Sequence, residues 1–139
     1  MTVGKGAGII LIANDGRILL QHRDKNNRWN RGSWSEFGGQ IESRETPGEA
    51  IRREMKEELG IKLADLKFFK KYELQRKKGI YKQFVFTASL TYSVKDLRRK
   101  QKEGKDLALF THKDLRNLRI ADYTKEILED FFKRISARF

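Results

Sequence analysis

The chain has 139 residues, no cysteine, and 31 lysines and arginines against 19 aspartates and glutamates, giving a net charge of +12. The missing cysteines exclude disulfides and thiolate metal sites, and no apolar run is long enough to span a membrane. The length predicts one domain over residues 1–139, and the N-terminus lacks a signal-peptide pattern, so we expect a cytoplasmic protein without a membrane partner. The positive charge favours polyanionic partners and does not choose among nucleotides, nucleic acid and anionic lipid. The high lysine and glutamate content, with no cysteine and one proline, is also seen in heat-adapted proteins.

The first third of the chain predicts a hairpin followed by a short strand. Residues 7–13 and 17–21 read as strands around an Asn-Asp-Gly turn, and the first of them is apolar enough to be buried. The polar and basic residues 22–32 predict a surface loop. Residues 34–37 predict a short strand that runs into the Gly38-Gly39 pair.

The clearest helix begins after Thr46 and ends at Gly60. Thr46 and Glu49 form the Thr-x-x-Glu pattern of a capping box, and Pro47 suits the first helical position. Gly60 is a typical helix C-cap. The apolar residues of this helix recur every four positions and predict one buried stripe, formed by Ile51, Met55 and Leu59.

The rest of the chain predicts three strands and a terminal helix. Strands at 66–74 and 80–92 flank a basic turn, a charged loop follows at 95–106, and residues 107–110 form a short strand. Residues 122–138 place apolar side chains on one face of a helix. Strands interleaved with two main helices predict an α/β fold with a mixed sheet between helices.

Three glutamates share one face of the first predicted helix. At about 100° per residue, Glu54, Glu57 and Glu58 fall within roughly a 100° arc. Ala50 lies in the same arc, so the space among the carboxylates is left open. Arg53 precedes Glu57 by four residues, and this spacing predicts a salt bridge.

These carboxylates repel each other unless a cation is present. Hard ions such as Mg²⁺ take carboxylate and carbonyl oxygens and are commonly shared with substrate phosphates. The Gly38-Gly39 pair lets the backbone approach closely and can aim a carbonyl at the same ion. The residues therefore predict a Mg²⁺ site, with Mn²⁺ as a substitute, that is suited to phosphoryl chemistry.

The complete pattern resembles the Nudix box at every defined position. It reads Gly39-x5-Glu45-x7-Arg53-Glu54-Met55-x-Glu57-Glu58-x-Gly60-Ile61. An ordinary solvated helix face would explain a lone Glu-Glu pair, but the whole pattern would arise by chance on the order of once in 10⁹ starts. The resemblance implies an α/β/α Nudix sandwich and a Mg²⁺-dependent hydrolase in which water attacks a phosphorus of a P–O–P linkage.

The resemblance also implies a role for each charged residue of the box. Glu57 and Glu58 would be direct metal ligands, and Glu54 would be a ligand or the base that activates water. The carbonyl of Gly38 would complete the metal shell. Arg53 and Glu45 would orient the ligating carboxylates.

Outside the box, the sequence leaves two interpretations open for each candidate residue. Glu103 resembles the distal acid of MutT-type members, with Asp106 as the alternative, and it is equally a solvated loop charge. Arg23 is a phosphate contact or a surface cation. Phe37 stands where the family commonly has proline, and it stacks on a base or fills the core, the core being favoured. Asp122 reads a base edge or caps the terminal helix.

Three functions fit these observations. The first is a MutT-like nucleoside triphosphate pyrophosphohydrolase. The second keeps the chemistry on a nucleotide sugar, ADP-ribose, a dinucleoside polyphosphate or an RNA 5′ end. The third is a non-catalytic nucleic-acid-binding module, since the basic clusters at 76–78 and 98–100 are most simply solvated turns but leave an RNA-facing surface open. In each case the chain would act as a monomer or homodimer.

Overall fold

The computed structural model describes residues 1–22, 32–100 and 106–136. In these ranges one sheet contains seven strands: β1 (Thr2–Ile12), β2 (Ile18–His22), β3 (Trp34–Ser35), β4 (Phe37–Gln40), β5 (Lys67–Arg76), β6 (Gly79–Ser89) and β7 (Asp106–Phe110). The helices described are α1 (Pro47–Leu59), α2 (Val94–Lys100), α3 (Asp122–Ser136) and a 3-10 helix (Lys113–Asn117). No described helix has both the length and the apolar character that crossing a membrane requires.

The sheet is mixed, as the sequence predicted. Its main path runs β3-β2-β1-β6-β5, with β4 paired to β1 and β7 paired to β2. Strand β1 runs parallel to β6, whereas its pairings with β2 and β4 are antiparallel. The register places Gly38 opposite Gly8 and Gly39 opposite Ala7, so the glycine pair of β4 lies beside the central strand.

Both faces of the sheet are covered, which explains why the first strand is an unbroken apolar run. Ala7, Ile9 and Leu11 point to the core shared with α1 and α2. Ile10 points to the opposite core, which is shared with α3. The layers are therefore helix, sheet and helix, and the predicted α/β/α sandwich is confirmed.

Local signals position α1. Thr46 and Glu49 form the predicted capping box, each side chain accepting the backbone N–H of the other residue. Gly60 ends the helix in the left-handed conformation with φ of 67°, where a side chain would be strained. The predicted stripe of Ile51, Met55 and Leu59 is fully buried.

Several predicted boundaries were wrong. Strand β1 begins at Thr2 rather than at residue 7, because its polar, glycine-rich first half pairs with β6. The predicted strand 34–37 is two strands, interrupted at Glu36. The predicted loop 95–106 contains most of α2, which the pattern missed because Leu97 is its single buried residue. The 3-10 helix, which has no buried residue, was also missed.

Candidate active site

Arg53 is the organising residue of the acidic face of α1. Its Nε and Nη2 donate to the two carboxylate oxygens of Glu45 at 2.7 and 3.1 Å, and Nη2 also donates to the carbonyl of Gln40 at 3.0 Å. Its Nη1 donates to Glu54 at 2.9 Å and to Glu57 at 3.2 Å. One guanidinium therefore joins the helix, the loop before it and the end of β4, and the predicted pair with Glu57 is present.

This pairing shifts two pKa values in opposite directions. The hydrogen bond from Arg53, aided by the backbone N–H of Glu42, holds the pKa of Glu45 below its ordinary value. The Glu45 carboxylate in turn raises the pKa of Arg53. Both groups are therefore charged throughout the neutral range, and the link between loop and helix does not depend on pH there.

Glu54 lies against the backbone of β4. A methyl group added at Gly39 would sit 2.7 Å from Oε2 of Glu54 and closer still to the rest of that carboxylate. Glycine at this position is therefore what lets the carboxylate approach the strand. The Glu54 side chain is 20% exposed, so its charge is held at the rim of the protein rather than in its core.

The three glutamates differ in their surroundings. Glu57 has a 61% exposed side chain, whereas Glu58 is buried at 6% exposure, next to the core stripe of α1. Within ranges 1–22, 32–100 and 106–136, no group of three histidine, cysteine, aspartate or glutamate side chains already converges tightly enough to hold an ion. In this arrangement the single charge of Arg53 is shared among Glu45, Glu54 and Glu57, so the cluster keeps a net negative charge.

The donor set nevertheless fits a hard divalent cation. Glu54, Glu57 and Glu58 offer only carboxylate oxygens, and Gly38 can add a carbonyl oxygen. The chain has no cysteine, so a soft thiolate site is excluded. The Glu54 carboxylate reaches the backbone of β4 only because residue 39 has no Cβ.

A second polar group lies on the opposite face of the sheet, and the sequence did not predict it. Glu36 is 4% exposed, and Oγ1 of the fully buried Thr124 donates to its Oε1 at 2.9 Å. A methyl group at Gly8 would lie 2.9 Å from Nε2 of Gln83 and 3.3 Å from Cγ of Glu36, so both side chains cover this glycine. Glu36 precedes Gly38 by two residues, about 7 Å along an extended chain.

Only one sequence signal could have revealed this group. Gly4, Gly6 and Gly8 alternate on β1, which leaves one face of that strand without side chains. Tyr81 and Gln83 of β6 lie across the space they leave. The partnership of Glu36 with Thr124 spans 88 positions and has no local signature.

The predicted substrate-binding residues fare differently. Phe37 is fully buried in the core against α1, so the favoured core interpretation is confirmed. The alternative of base stacking is wrong, because a ring without accessible surface cannot stack on a ligand. Asp122 is exposed and is the first residue of α3, whereas the carbonyl of Ala121 accepts the first helical hydrogen bonds. Ala121 therefore occupies the N-cap position, and the predicted cap is wrong by one residue.

Two predicted site residues, Arg23 and Glu103, lie outside the described residues. Asp106, the alternative to Glu103, is at the start of β7, where its carboxylate accepts hydrogen bonds from Arg98 and from the backbone N–H of Leu107. Gly38 lies in β4 next to Gly39, as expected from the sequence.

Comparison with known proteins supplies the family. The model of the NUDIX domain matches residues 2–131. The chain belongs to the NUDIX domain family. This membership confirms the predicted resemblance. A 74-residue segment is 32% identical to the oxidized purine nucleoside triphosphate hydrolase of Danio rerio, covering 49% of this chain and 46% of that protein. The chain thus spans about half the length of this NUDIX relative.

Solved structures support the fold of this NUDIX domain. The Escherichia coli ORF135 protein has a TM-score of 0.80 at 22% identity, covering 99% of this chain and 94% of its own. A MutT/Nudix protein from Listeria innocua has a TM-score of 0.79 at 22% identity, covering 100% and 98%. The NUDIX domain of Shewanella oneidensis NrtR, solved with ADP ribose, has a TM-score of 0.75 at 16% identity, covering 94% and 87%.

Proposed function

We propose that this NUDIX domain is a Mg²⁺-dependent pyrophosphohydrolase that cleaves a nucleoside triphosphate into a monophosphate and pyrophosphate. The observation that carries the proposal is the acidic face of α1, where Arg53 holds Glu54 and Glu57 beside the glycine pair of β4. The packing of α1 on the sheet does not itself require the Glu54 carboxylate to contact Gly39 of β4. An anhydride substrate with bound Mg²⁺ does need such a cluster of hard oxygens.

The residues divide the chemistry among them. Glu57, Glu58 and the Gly38 carbonyl would hold the ion, with Glu54 as a further ligand or as the base. When bound, Mg²⁺ would neutralise phosphate charge and lower the pKa of water. Water oxygen bonds to a phosphorus of the α–β bridge, its proton passes to a carboxylate, and the departing pyrophosphate or nucleoside monophosphate takes the electrons of the broken P–O bond.

Arg53 and Glu45 are positioning residues in this scheme. The paired hydrogen bonds between them fix the guanidinium, and the remaining N–H groups aim Glu54 and Glu57. Without this support, each glutamate would sample several rotamers and spend less time in the arrangement that binds the ion.

The substrate class has two sources of support. The Danio rerio relative acts, by its name, on oxidized purine nucleoside triphosphates. The acidic face of α1 is the second source, because Mg²⁺ held by carboxylates is commonly shared with substrate phosphates. ADP-ribose is the second candidate, because the NrtR domain was solved with it.

A screen of anhydride substrates tests the proposal. Canonical and oxidised nucleoside triphosphates, nucleotide sugars, ADP-ribose and dinucleoside polyphosphates are incubated with and without Mg²⁺, and the products are separated by chromatography. We expect pyrophosphate and a monophosphate from a triphosphate, and a loss of at least about 100-fold in Glu57→Gln. Glu129→Gln, an exposed glutamate of α3, is the matched control and should retain full activity.

The outcomes separate the candidates. Cleavage of ADP-ribose but of no triphosphate would keep the chemistry and replace the substrate. A folded protein that cleaves nothing, or one in which Glu129→Gln is as damaging as Glu57→Gln, would contradict the proposal. Isothermal titration with Mg²⁺ alone adds a second readout, in which Glu57→Gln should weaken binding and Glu129→Gln should not.

A further inference from the structure

Half of the net charge of the chain lies on one hairpin. The segment 67–89, which forms β5, its turn and β6, contains seven lysines and arginines and a single glutamate, a net charge of +6 out of +12. Helix α3, which packs on the face of the sheet opposite α1, has four acidic and three basic residues. The positive charge is therefore localised, and a general adaptation of composition would not concentrate it in this way.

Exposed apolar side chains gather at the same hairpin. Of the described residues, three large hydrophobic ones are exposed, namely Met1, Val3 and Phe68. Phe68 lies on β5 and is 57% exposed. The carbonyl of Met1 accepts the N–H of Ile80 at 2.9 Å, and Val3 lies beside the turn glycine Gly79. Met1 and Val3 therefore lie at the turn end of the hairpin, whereas Phe68 is exposed at the other end, where it pairs with Phe86.

Cross-strand pairing places rings, ammonium groups and one carboxylate on one face, since Glu73 pairs with Lys82 and lies 3.9 Å from Nζ of Lys71. Phe68 pairs with Phe86, and Lys71 pairs with Phe84. The Phe68 ring lies 5.5 Å from the ring of Phe86 and 6.4 Å from that of Phe84. Lys5 of β1 and Lys82 of β6 lie on the same face and pair with each other. We call this surface the hairpin platform and define it as Lys5, Phe68, Lys71, Lys82 and Phe84.

We propose that the hairpin platform binds single-stranded nucleic acid, with a base stacked on Phe68 and phosphates paired with the lysines. Aromatic rings among cations on an open sheet are the surface that single strands use, because every base has a flat face and every linkage a negative charge. From Lys82 to Phe86 the strand rises about 13 Å, enough for about two or three nucleotides.

Protection of an exposed edge strand is the competing explanation for the lysines. Among the strands of the described residues, β5 pairs with β6 alone, and lysines on such an edge strand discourage pairing with other chains. This accounts for Lys71 but not for Lys5 and Lys82, which lie on the interior strands β1 and β6. It also fails to account for Phe68, since an exposed ring attracts the contacts that edge protection prevents.

Fluorescence anisotropy with a labelled 12-nucleotide oligo(U) tests the proposal. The buffer contains EDTA, so that neither Mg²⁺ nor hydrolysis contributes and the result is independent of the proposed function. We expect log K to fall with log salt with a slope of about −2, as for about three phosphates neutralised. Phe68→Ala should weaken binding by at least about fivefold without changing this slope. Lys71→Gln and Lys82→Gln should each make the slope less steep.

Lys133→Gln is the matched control, because it removes the same charge from an exposed position on α3. Equal binding by Phe68→Ala and the wild type would overturn the proposal, as would an equal effect of Lys133→Gln and Lys71→Gln. Tighter binding of phosphatidylserine vesicles than of oligo(U) would assign the surface to membranes instead. A dimer that dissociates in Phe68→Ala would assign it to a second copy. If Phe68→Ala does not fold, the salt slopes of the lysine variants decide.

Discussion

Gly39→Ala tests the close approach between β4 and the acidic face of α1. The added methyl group would lie 2.7 Å from Oε2 of Glu54 and nearer to its Cδ, whereas non-bonded heavy atoms prefer about 3.5 Å or more. The carboxylate must therefore move by about 1 Å. Because the side chain is partly exposed, it can rotate away at a cost of about 1 kcal/mol, and the protein should stay folded.

The effect on catalysis should be much larger than the effect on stability. A displacement of about 1 Å in a catalytic arrangement reduces turnover by about 100-fold. Gly48→Ala is the matched control, because the same methyl group within α1 would meet no atom closer than the 4.0 Å contact with Leu66. Alanine is also the better helix former, by up to about 1 kcal/mol. We therefore expect Gly48→Ala to be fully active and slightly more stable.

The assay is Mg²⁺-dependent turnover of the best substrate, measured together with thermal unfolding of the same samples. A double variant adds a further test, since Gly39→Ala acts through Glu54 and should change little in a Glu54→Gln background. Activity of Gly39→Ala within threefold of the wild type would refute the reasoning. So would an additive loss in the double variant, because it would mean that the methyl group disturbs something other than Glu54.

Three further substitutions test separate parts of the structure. Arg53→Lys loses the paired hydrogen bonds to Glu45 and should lower kcat by about 10- to 100-fold with less than about 1 kcal/mol of destabilisation, so an unaltered kcat would contradict the positioning role. Phe37→Ala should destabilise the fold by about 3–5 kcal/mol in chemical denaturation, whereas a raised KM in an equally stable protein would restore the stacking interpretation. Tyr72→Phe removes the 2.7 Å hydrogen bond to Asp130, which is the main reason that the pKa of Asp130 is lowered. A carboxyl whose pKa is lowered in the folded protein stabilises the fold above its ordinary pKa of 3.8, and this stabilisation is lost as the pH falls through the pKa of the folded protein. We therefore expect Tyr72→Phe to lower the free energy of unfolding by about 1.5 kcal/mol at pH 7 and by less at pH 2. A loss that does not depend on pH would contradict this role of the hydrogen bond.

Helix α1 could be predicted in full because its signals lie within one short window. The capping box, the αL glycine and the buried stripe all depend on residues no more than four positions apart. The Arg53–Glu57 pair is of the same kind, and it is present. Arg53 also bonds Glu45 eight residues away, a contact that neither the helical spacing nor the resemblance predicted.

Elements that depend on distant partners were missed or misplaced. Helix α2 has one buried side chain and therefore no period to detect. Glu36 interrupts what the pattern showed as one strand, and its partner Thr124 lies in the last helix. In each case tertiary pairing, rather than local propensity, decides the outcome.

The glycines of β1 and β4 let side chains approach the backbone closely on both faces of the sheet. Gly8 and Gly38 are directly paired, and Gly39 follows beside Ala7, so the sheet carries almost no side chains at this point. On one face the backbone meets the Glu54 carboxylate, and on the other it meets Glu36 and Gln83. Because the two groups lie on opposite faces of the sheet, a methyl group at each glycine should affect only the group on its own face. We therefore expect Gly39→Ala to impair turnover through Glu54, whereas Gly8→Ala should crowd the buried Gln83 and Glu36 and lower the thermal stability, and activity and unfolding measured on both variants separate the two effects.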